Sequence, residues 1–273
     1  MSESSTIPLT PKPRTRESLT ADLRRVGIKA GMVLNVHSSL SSLGWVSGGP
    51  VTVVQALMDV ITPQGTLVMP THSGDLSDPA KWANPPVPES WVAPIRASMP
   101  AYDPRYTPSR GMGRIPETFR TFPGVLRSGH PAVSFAAWGA QAEFITHDHR
   151  LEYCLGEHSP LARLYDLDAW VLLLGVGYDH NTAFHLSEYR ADNPLPSVEG
   201  APIFEDGRRI WKEYPDIEVD SEPFPEIGAE LDWSAKVLFG EVGSAQARLF
   251  HIREAVDFAQ AWITRLRGEK RRV

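Results

Sequence analysis

Met32-Val33-Leu34-Asn35-Val36, followed thirty residues later by Thr66-Leu67-Val68-Met69, sets the architecture because of what lies between the two runs. Each run is apolar at nearly every position, as a strand must be when both faces of its sheet are covered. A Ser/Gly-rich turn, His37 to Gly49, leads to Pro50, whose fixed φ suits the first position of a helix. Val53, Val54, Leu57, Val60 and Ile61 then recur at helical spacing, and Thr62-Pro63-Gln64-Gly65 ends the helix. Strand, helix and strand in this order predict a right-handed crossover and a parallel pair. The fold class expected is α/β, with a central, largely parallel sheet.

Outward from this unit, Leu19–Val26 reads as an amphipathic helix introduced by Thr20 or Ser18. Downstream, Ile115–Thr121 reads as a helix, Ala132–Trp138 as a strand, and Ser159–Tyr165 as the start of another helix. Trp170–Gly175 is a strongly apolar strand, and Thr182–Ala191 a helix directly after it. Two excursions interrupt the pattern. Asp75–Pro108 is dense in proline, with Trp82 and Trp91, and is expected to be long, rigid and irregular. The second spans about 197–232 and should hold a hairpin turning at Asp206-Gly207. Trp233–Phe239 is expected to be short and structured, and Ala245–Leu266 to form a closing helix. The chain is thus divided into a loose leader (1–16), one domain (17–268) and a basic tail (269–273).

Composition narrows the function classes. Of 273 residues, 42% are apolar and 22% charged, values of an ordinary globular protein. The longest apolar run, Trp170–Val176, is too short to cross a bilayer, so no membrane partner is expected. Met1–Arg16 is polar and Pro-rich, unlike a secretory signal, and the single Cys154 fits a reducing, cytoplasmic setting. The net charge of −6 is unevenly placed: between Glu205 and Asp232, ten carboxylates face only Arg208, Arg209 and Lys212. That segment carries −7, which repels nucleic acid and attracts cations, although a solvated acidic loop would have the same composition.

Candidate chemistry gathers at strand ends. Tyr178-Asp179-His180-Asn181-Thr182-Ala183-Phe184-His185-Leu186-Ser187-Glu188 follows the Trp170–Gly175 strand, at the edge where open α/β sheets bind ligands. Asn181 or Thr182 would cap the helix and leave His185 in its first turn, where the helix dipole favours the neutral ring a base requires. Glu188, three residues on, shares the face of His185 and can hold its imidazole in one tautomer; Asp179 is the rival partner. His37-Ser38-Ser39-Leu40-Ser41 and Gly48-Gly49-Pro50 could cradle a phosphate, or could simply form a turn. Arg110-Gly111-Met112-Gly113-Arg114 offers cations around flexible glycines. His147, His149 and His158 invite a metal, but no convincing third ligand follows and none is expected.

Taken in order, these blocks resemble the aminoglycoside 3-N-acetyltransferase family. The resemblance rests on His37-Ser38-Ser39-Leu40-Ser41, Gly65-Thr66-Leu67 with Pro70-Thr71, Arg110-Gly111-Met112-Gly113, and His130-Pro131 with Ser134-Phe135. It continues through Ser159-Pro160-Leu161, Leu174-Gly175-Val176-Gly177, Asn181-Thr182 and His185, and covers about Leu19 to Leu266. It implies an α/β/α sandwich distinct from the common acetyltransferase superfold, with acetyl-CoA as co-substrate and direct acetyl transfer to an amine. His185 would be the general base, oriented by Glu188 or Asp179, with Thr71 near the thioester or its oxyanion. His37, Ser38, Ser39, Leu40, Ser41, Arg110, Gly111, Met112, Gly113 and Ser134 would serve the cofactor. The partner implied is a small polycationic sugar, with ammonium groups held by Asp75, Asp78, Glu89, Glu205, Asp206 and Glu213. Another small amine as acceptor, or a non-catalytic CoA-binding module, are the competing readings. The oligomeric state is left open between monomer and homodimer.

Overall fold

A computed structural model describes residues 6–234 and 236–270. In chain order its principal elements are α1 (Arg16–Val26), β1 (Val33–Ser38), α2 (Gly49–Ile61), β2 (Thr66–Pro70), α3 (Glu89–Ser98) and α4 (Arg114–Phe119). There follow β3 (Leu126–Arg127), β4 (Phe135–Gly139), α5 (Ala142–Thr146), α6 (Pro160–Asp166), β5 (Trp170–Leu174) and α7 (Ala183–Arg190). The chain closes with β6 (Pro196–Glu205), β7 (Arg208–Ile217), α8 (Phe224–Ser234), β8 (Leu238–Val242), β9 (Ala245–His251) and α9 (Ile252–Lys270).

Seven strands form one sheet in the order β3-β4-β2-β1-β5-β9-β8. Its centre is parallel: β1 pairs with β2 on one side and with β5 on the other. The flanks, β4 and β3 beyond β2, and β9 and β8 beyond β5, are antiparallel. Alternation along β5 shows why three layers result. Val171 and Leu173 enter a core with α5 to α9, whereas Leu172 and Leu174 enter a second core with α1, α2 and α4. The α/β/α sandwich anticipated from the sequence is therefore present, with the parallel pairings confined to β1, β2 and β5.

Several local expectations are corrected. Ala245–His251 is a strand, not the start of the closing helix, which begins at Ile252. The alternation of Ala245, Ala247 and Leu249 with Gln246 and Arg248 has period two, and the free edge of β5 supplies its partner. Leu238–Val242, which overlaps the end of the short structured piece expected at Trp233–Phe239, adds the edge strand. The proline-rich excursion contains a ten-residue helix, α3, that tolerates Pro94 within it. The hairpin at Asp206-Gly207 begins ahead of the acidic stretch, pairing Pro196 with Ile217 at its base. Of the leader, residues 1–5 lie outside the described residues. Beyond them come a 3₁₀ turn at Ile7–Leu9, a bridge from Arg14 to Val46, and a capping box in which Thr15 and Ser18 start α1. Of the tail, Glu269 and Lys270 belong to α9, and 271–273 lie outside the described residues.

The two excursions pack on each other. Leu76, Met99 and Tyr102 form a small core with Trp82, Ile95 and Trp211, the last from β7. Arg209 of the hairpin donates to the carbonyls of Met99 and Arg96. Helix α8 returns the chain to the sheet, and Gly228 sits on it directly against the ring of Tyr178. A Cβ at Gly228 would fall 2.0 Å from that ring. Gly228→Ala is therefore expected to cost ~1–3 kcal/mol by overpacking. That corresponds to a Tm lowered by roughly 2–10 °C for a chain of this size, read by calorimetry. A melt within a degree of wild type would mean that α8 moves aside freely.

Candidate active site

The site is built at the carboxyl edge of β1, β2 and β5. After β5 the chain makes a 3₁₀ turn, Tyr178–His180, and enters α7. Asn181, fully buried, caps α7 by accepting from the Ala183 amide at 3.3 Å. His185 is the third residue of α7, with its side chain 17% exposed. Its Nδ1 lies 2.6 Å from Glu188 Oε2, and the Glu188 side chain is only 4% exposed. A carboxylate can only accept, so Nδ1 carries the ring proton and donates it, leaving Nε2 as the free lone pair. The other carboxylate oxygen, Oε1, accepts from the Asp220 amide at 2.6 Å. The ring of Phe224 packs against the imidazole at 4.9 Å between centroids. Asp179 is placed elsewhere: its Oδ2 is 2.8 Å from His180 Nδ1, and both groups are more than half exposed.

At the Tyr178–His180 turn that leads into α7 opens a cavity of about 870 Å³, which His180 lines and His185 and Glu188 do not. Ser38, Ser39, Leu40 and Ser41 form one wall, and Gly111, Met112, Gly113 and Arg114 another. Trp45, Val176 and His180 also line it, and none of the three was among the site residues expected from the sequence. The serine turn is fastened to β5, because Ser42 Oγ donates to the Gly175 carbonyl at 3.0 Å. Gly175 has φ +69°, and a Cβ there would come within 2.5 Å of Ser42, so only glycine lets the turn approach. Ser38 lines this cavity, and its Oγ is buried without a hydrogen-bond partner.

Other expected site residues are not brought to this cavity. Thr71 and Ser134 are fully buried and bond each other's main chain. Both hydroxyls also accept from Arg127 Nε, at 3.1 and 3.0 Å, so they staple β2 to β4. Arg110 is ion-paired with Asp75 and lines a separate depression with Trp82 and Pro85. His37 lies behind the serine turn, 5% exposed. Asp78 is buried against Arg96, with contacts of 2.5 and 3.0 Å, and caps the turn at Ala80. Glu205 is paired with Lys212 at 2.9 Å, Asp206 sits at the hairpin tip with φ +50°, and Glu89 and Glu213 are exposed around α3 and β7.

The acidic segment is also partly consumed. Asp216 is buried and accepts from Tyr189 Oη at 2.6 Å, and Asp232 accepts from Tyr178 Oη at the same distance. Asp220 meets the His185–Glu188 pair through its main-chain amide, while its carboxylate accepts from the Glu222 amide at 2.9 Å, and a charge count alone cannot single it out. His147 and His149 separate, His149 turning inward to Ser128 Oγ at 2.9 Å and the Cys154 carbonyl at 2.7 Å. Burial pushes the Cys154 thiol well up, as does the neighbouring Asp216, so it is a poor nucleophile.

A histidine held by a buried carboxylate, with a serine- and glycine-lined cavity at the turn before its helix on an α/β/α sheet, is the arrangement of a group-transfer enzyme. The family model for aminoglycoside 3-N-acetyltransferase matches residues 36–264, and the chain belongs to that family. It is an aminoglycoside N-acetyltransferase by class. An aminoglycoside N(3')-acetyltransferase-like protein, YokD, of Bacillus subtilis (strain 168) is 53% identical over 251 residues, 92% of each chain. The crystal structure of YokD superposes with a TM-score of 0.94, covering 96% of this chain and 97% of that one. AAC-IIIb, solved as a binary complex with CoASH, gives a TM-score of 0.82 at 32% identity, covering 93% and 97%. AAC-VIa bound to sisomicin gives 0.83 at 29% identity, covering 92% and 98%.

Proposed function

We propose that this enzyme transfers the acetyl group of acetyl-CoA to the 3-amino group of an aminoglycoside, with His185 as general base. The 2.6 Å bond between His185 Nδ1 and Glu188 carries the reading. It sets the tautomer that leaves Nε2 able to accept a proton, while the turn before α7 borders a cavity of a size for an extended cofactor. The residues present fit that cofactor. Ser38, Ser39 and Ser41 offer hydroxyls, Ser38 Oγ lacks a partner, and Arg114 supplies a cation at the rim. Acetyl-CoA when bound supplies an activated acyl group as a thioester. AAC-IIIb with CoASH supports this assignment of the cavity.

The reacting amine must shed a proton as its nitrogen attacks, because an ammonium has no lone pair. His185 Nε2 takes that proton, and Glu188 stabilises the imidazolium while fixing the ring's direction. Asp220, tied through its amide to Glu188, would hold a neighbouring ammonium of the sugar. Glu89 and Asp206 remain candidates for more distant amines, whereas Asp75, Asp78, Glu205 and Glu213 are engaged with Arg110, Arg96, Lys212 and Arg96 within the chain. AAC-VIa with sisomicin supports an acceptor of this kind.

Thiol release from acetyl-CoA, measured against a panel of aminoglycosides and simple amines, tests the reading. Release with a 2-deoxystreptamine aminoglycoside, with the acetyl group on its 3-nitrogen by NMR of the product, is the expected result. Release only with unrelated amines would move the substrate. Absence of release with any amine, despite CoA binding, would overturn the reading.

A further inference from the structure

Gly44, Trp45, Val46 and Gly48 wall the large cavity, yet they lie between the 3₁₀ turn Leu40–Leu43 and helix α2 and belong to neither. The main-chain groups of such a stretch need partners from elsewhere in the chain. The leader supplies them. The Trp45 amide donates to Thr10 Oγ1 at 2.8 Å, and the Trp45 carbonyl accepts from the Arg14 amide at 2.9 Å. The Ser47 amide donates to the Arg14 carbonyl at 2.9 Å, which completes the bridge from Arg14 to Val46. Thr10 is the joint. Its hydroxyl accepts from Trp45 and donates to the Thr6 carbonyl at 2.8 Å, and Thr6 lines the same cavity. Gly44 lies close against it, since a Cβ there would stand 2.9 Å from Thr10 Oγ1. Arg14 is anchored in turn, donating to Ser244 Oγ at 2.9 Å, in the turn between β8 and β9.

We propose that the leader, over residues 6–15, is part of the acetyl-CoA site, and that Thr10 is a positioning residue that sets the Trp45 wall for the cofactor. The inference rests on the assignment of this cavity to acetyl-CoA made above. Thr10 does not itself line the cavity. It acts through geometry: one hydroxyl fixes the path of the Trp45 main chain, and with it where Gly44 and Trp45 stand against a bound cofactor. A wall held in place before the cofactor arrives avoids the ordering cost that a loose loop incurs on binding. Without the hydroxyl the Trp45 amide loses its acceptor, and the wall gives up its position or admits water. Proton removal and acyl transfer use none of these groups, so the effect falls on cofactor affinity and not on turnover.

The test pairs Thr10→Val, which keeps the shape of the side chain and removes both hydrogen bonds, with Thr10→Ser, which keeps the hydroxyl. Thr10→Val is expected to raise the CoA Kd, read by calorimetry, and the KM for acetyl-CoA about tenfold, the scale of one hydrogen-bonding group left unpaired. The kcat and the aminoglycoside KM should stay within about twofold, because only cofactor binding is altered. Thr10→Ser should bind CoA within about threefold of wild type, its hydroxyl serving as donor and acceptor alike. A lowered Tm in Thr10→Val with unchanged CoA affinity would make Thr10 a stabilising residue only and overturn the proposal. So would a kcat loss as large as the KM change, or Ser no better than Val. Hydrogen exchange of the wild type reads the same coupling without a variant. Saturating CoA is expected to slow exchange at the Trp45 and Arg14 amides, because a ligand that needs the closed wall suppresses its opening. Unchanged exchange at both amides would overturn the proposal. Wild type that binds no CoA removes the assignment of the cavity and the acetyl-transfer reading with it. Wild type that binds CoA, with Thr10→Val binding equally well, sinks only the role of the leader.

Discussion

His185→Ala is expected to lower kcat by ~10²–10⁴-fold, the range over which a positioned general base contributes. Aminoglycoside and CoA affinities, measured by calorimetry, should stay close to wild type, because the proposed role uses Nε2 for proton transfer and not for anchoring either ligand. The loss should shrink as pH rises toward the pKa of the acceptor amine, since solvent then does the deprotonation that the imidazole no longer performs. A pH-independent deficit, or a matching loss of CoA binding, would place His185 in cofactor recognition instead.

Glu188→Gln is expected to be nearly as damaging, approaching ~10³-fold in kcat, by analogy with the loss when a triad carboxylate becomes an amide. Both carboxylate oxygens are in use, Oε2 by His185 and Oε1 by the Asp220 amide. Glutamine has one oxygen for these two donors. If it serves Asp220, its NH₂ faces Nδ1, demands a bare nitrogen there, and moves the ring proton to Nε2, where the base is needed. If it serves His185, the Asp220 amide is left facing an NH₂ in a nearly closed space, which costs ~1–3 kcal/mol. Kinetics and a thermal melt of this variant distinguish the two outcomes, and retention of both activity and Tm would show that Glu188 is not the orienting group. Asp179→Asn, by contrast, should leave kcat almost unchanged, because Asp179 bonds His180 and not the base.

How much of the site was legible follows from how local each signal is. His185 and Glu188 are three residues apart on one helix, so their spacing alone puts them on one face. The serine turn and the Gly111–Gly113 loop announce themselves by composition, and they meet across one cavity. Thr71 and Ser134 misled, because their hydroxyls look available until Arg127, far along the chain, occupies them. Asp78 misled in the same way, since nothing in its neighbours predicts Arg96 folding back upon it. The role of the acidic segment was legible only as a total. Which of its carboxylates are spent, as Asp216 is on Tyr189, depends on contacts from other elements.

Period and punctuation along the chain determined the strand–helix–strand unit, the three-layer α/β class and the His185–Glu188 pairing, all interactions within a few residues or within one crossover. Only the tertiary structure decided that Ala245–His251 would be a strand, that Thr71 would be sealed off, and that Asn35 and Thr182 would both address His37. In each of these cases a free sheet edge or a buried polar atom is satisfied by a partner distant in sequence, and a chain read one neighbourhood at a time carries no record of which partner arrives.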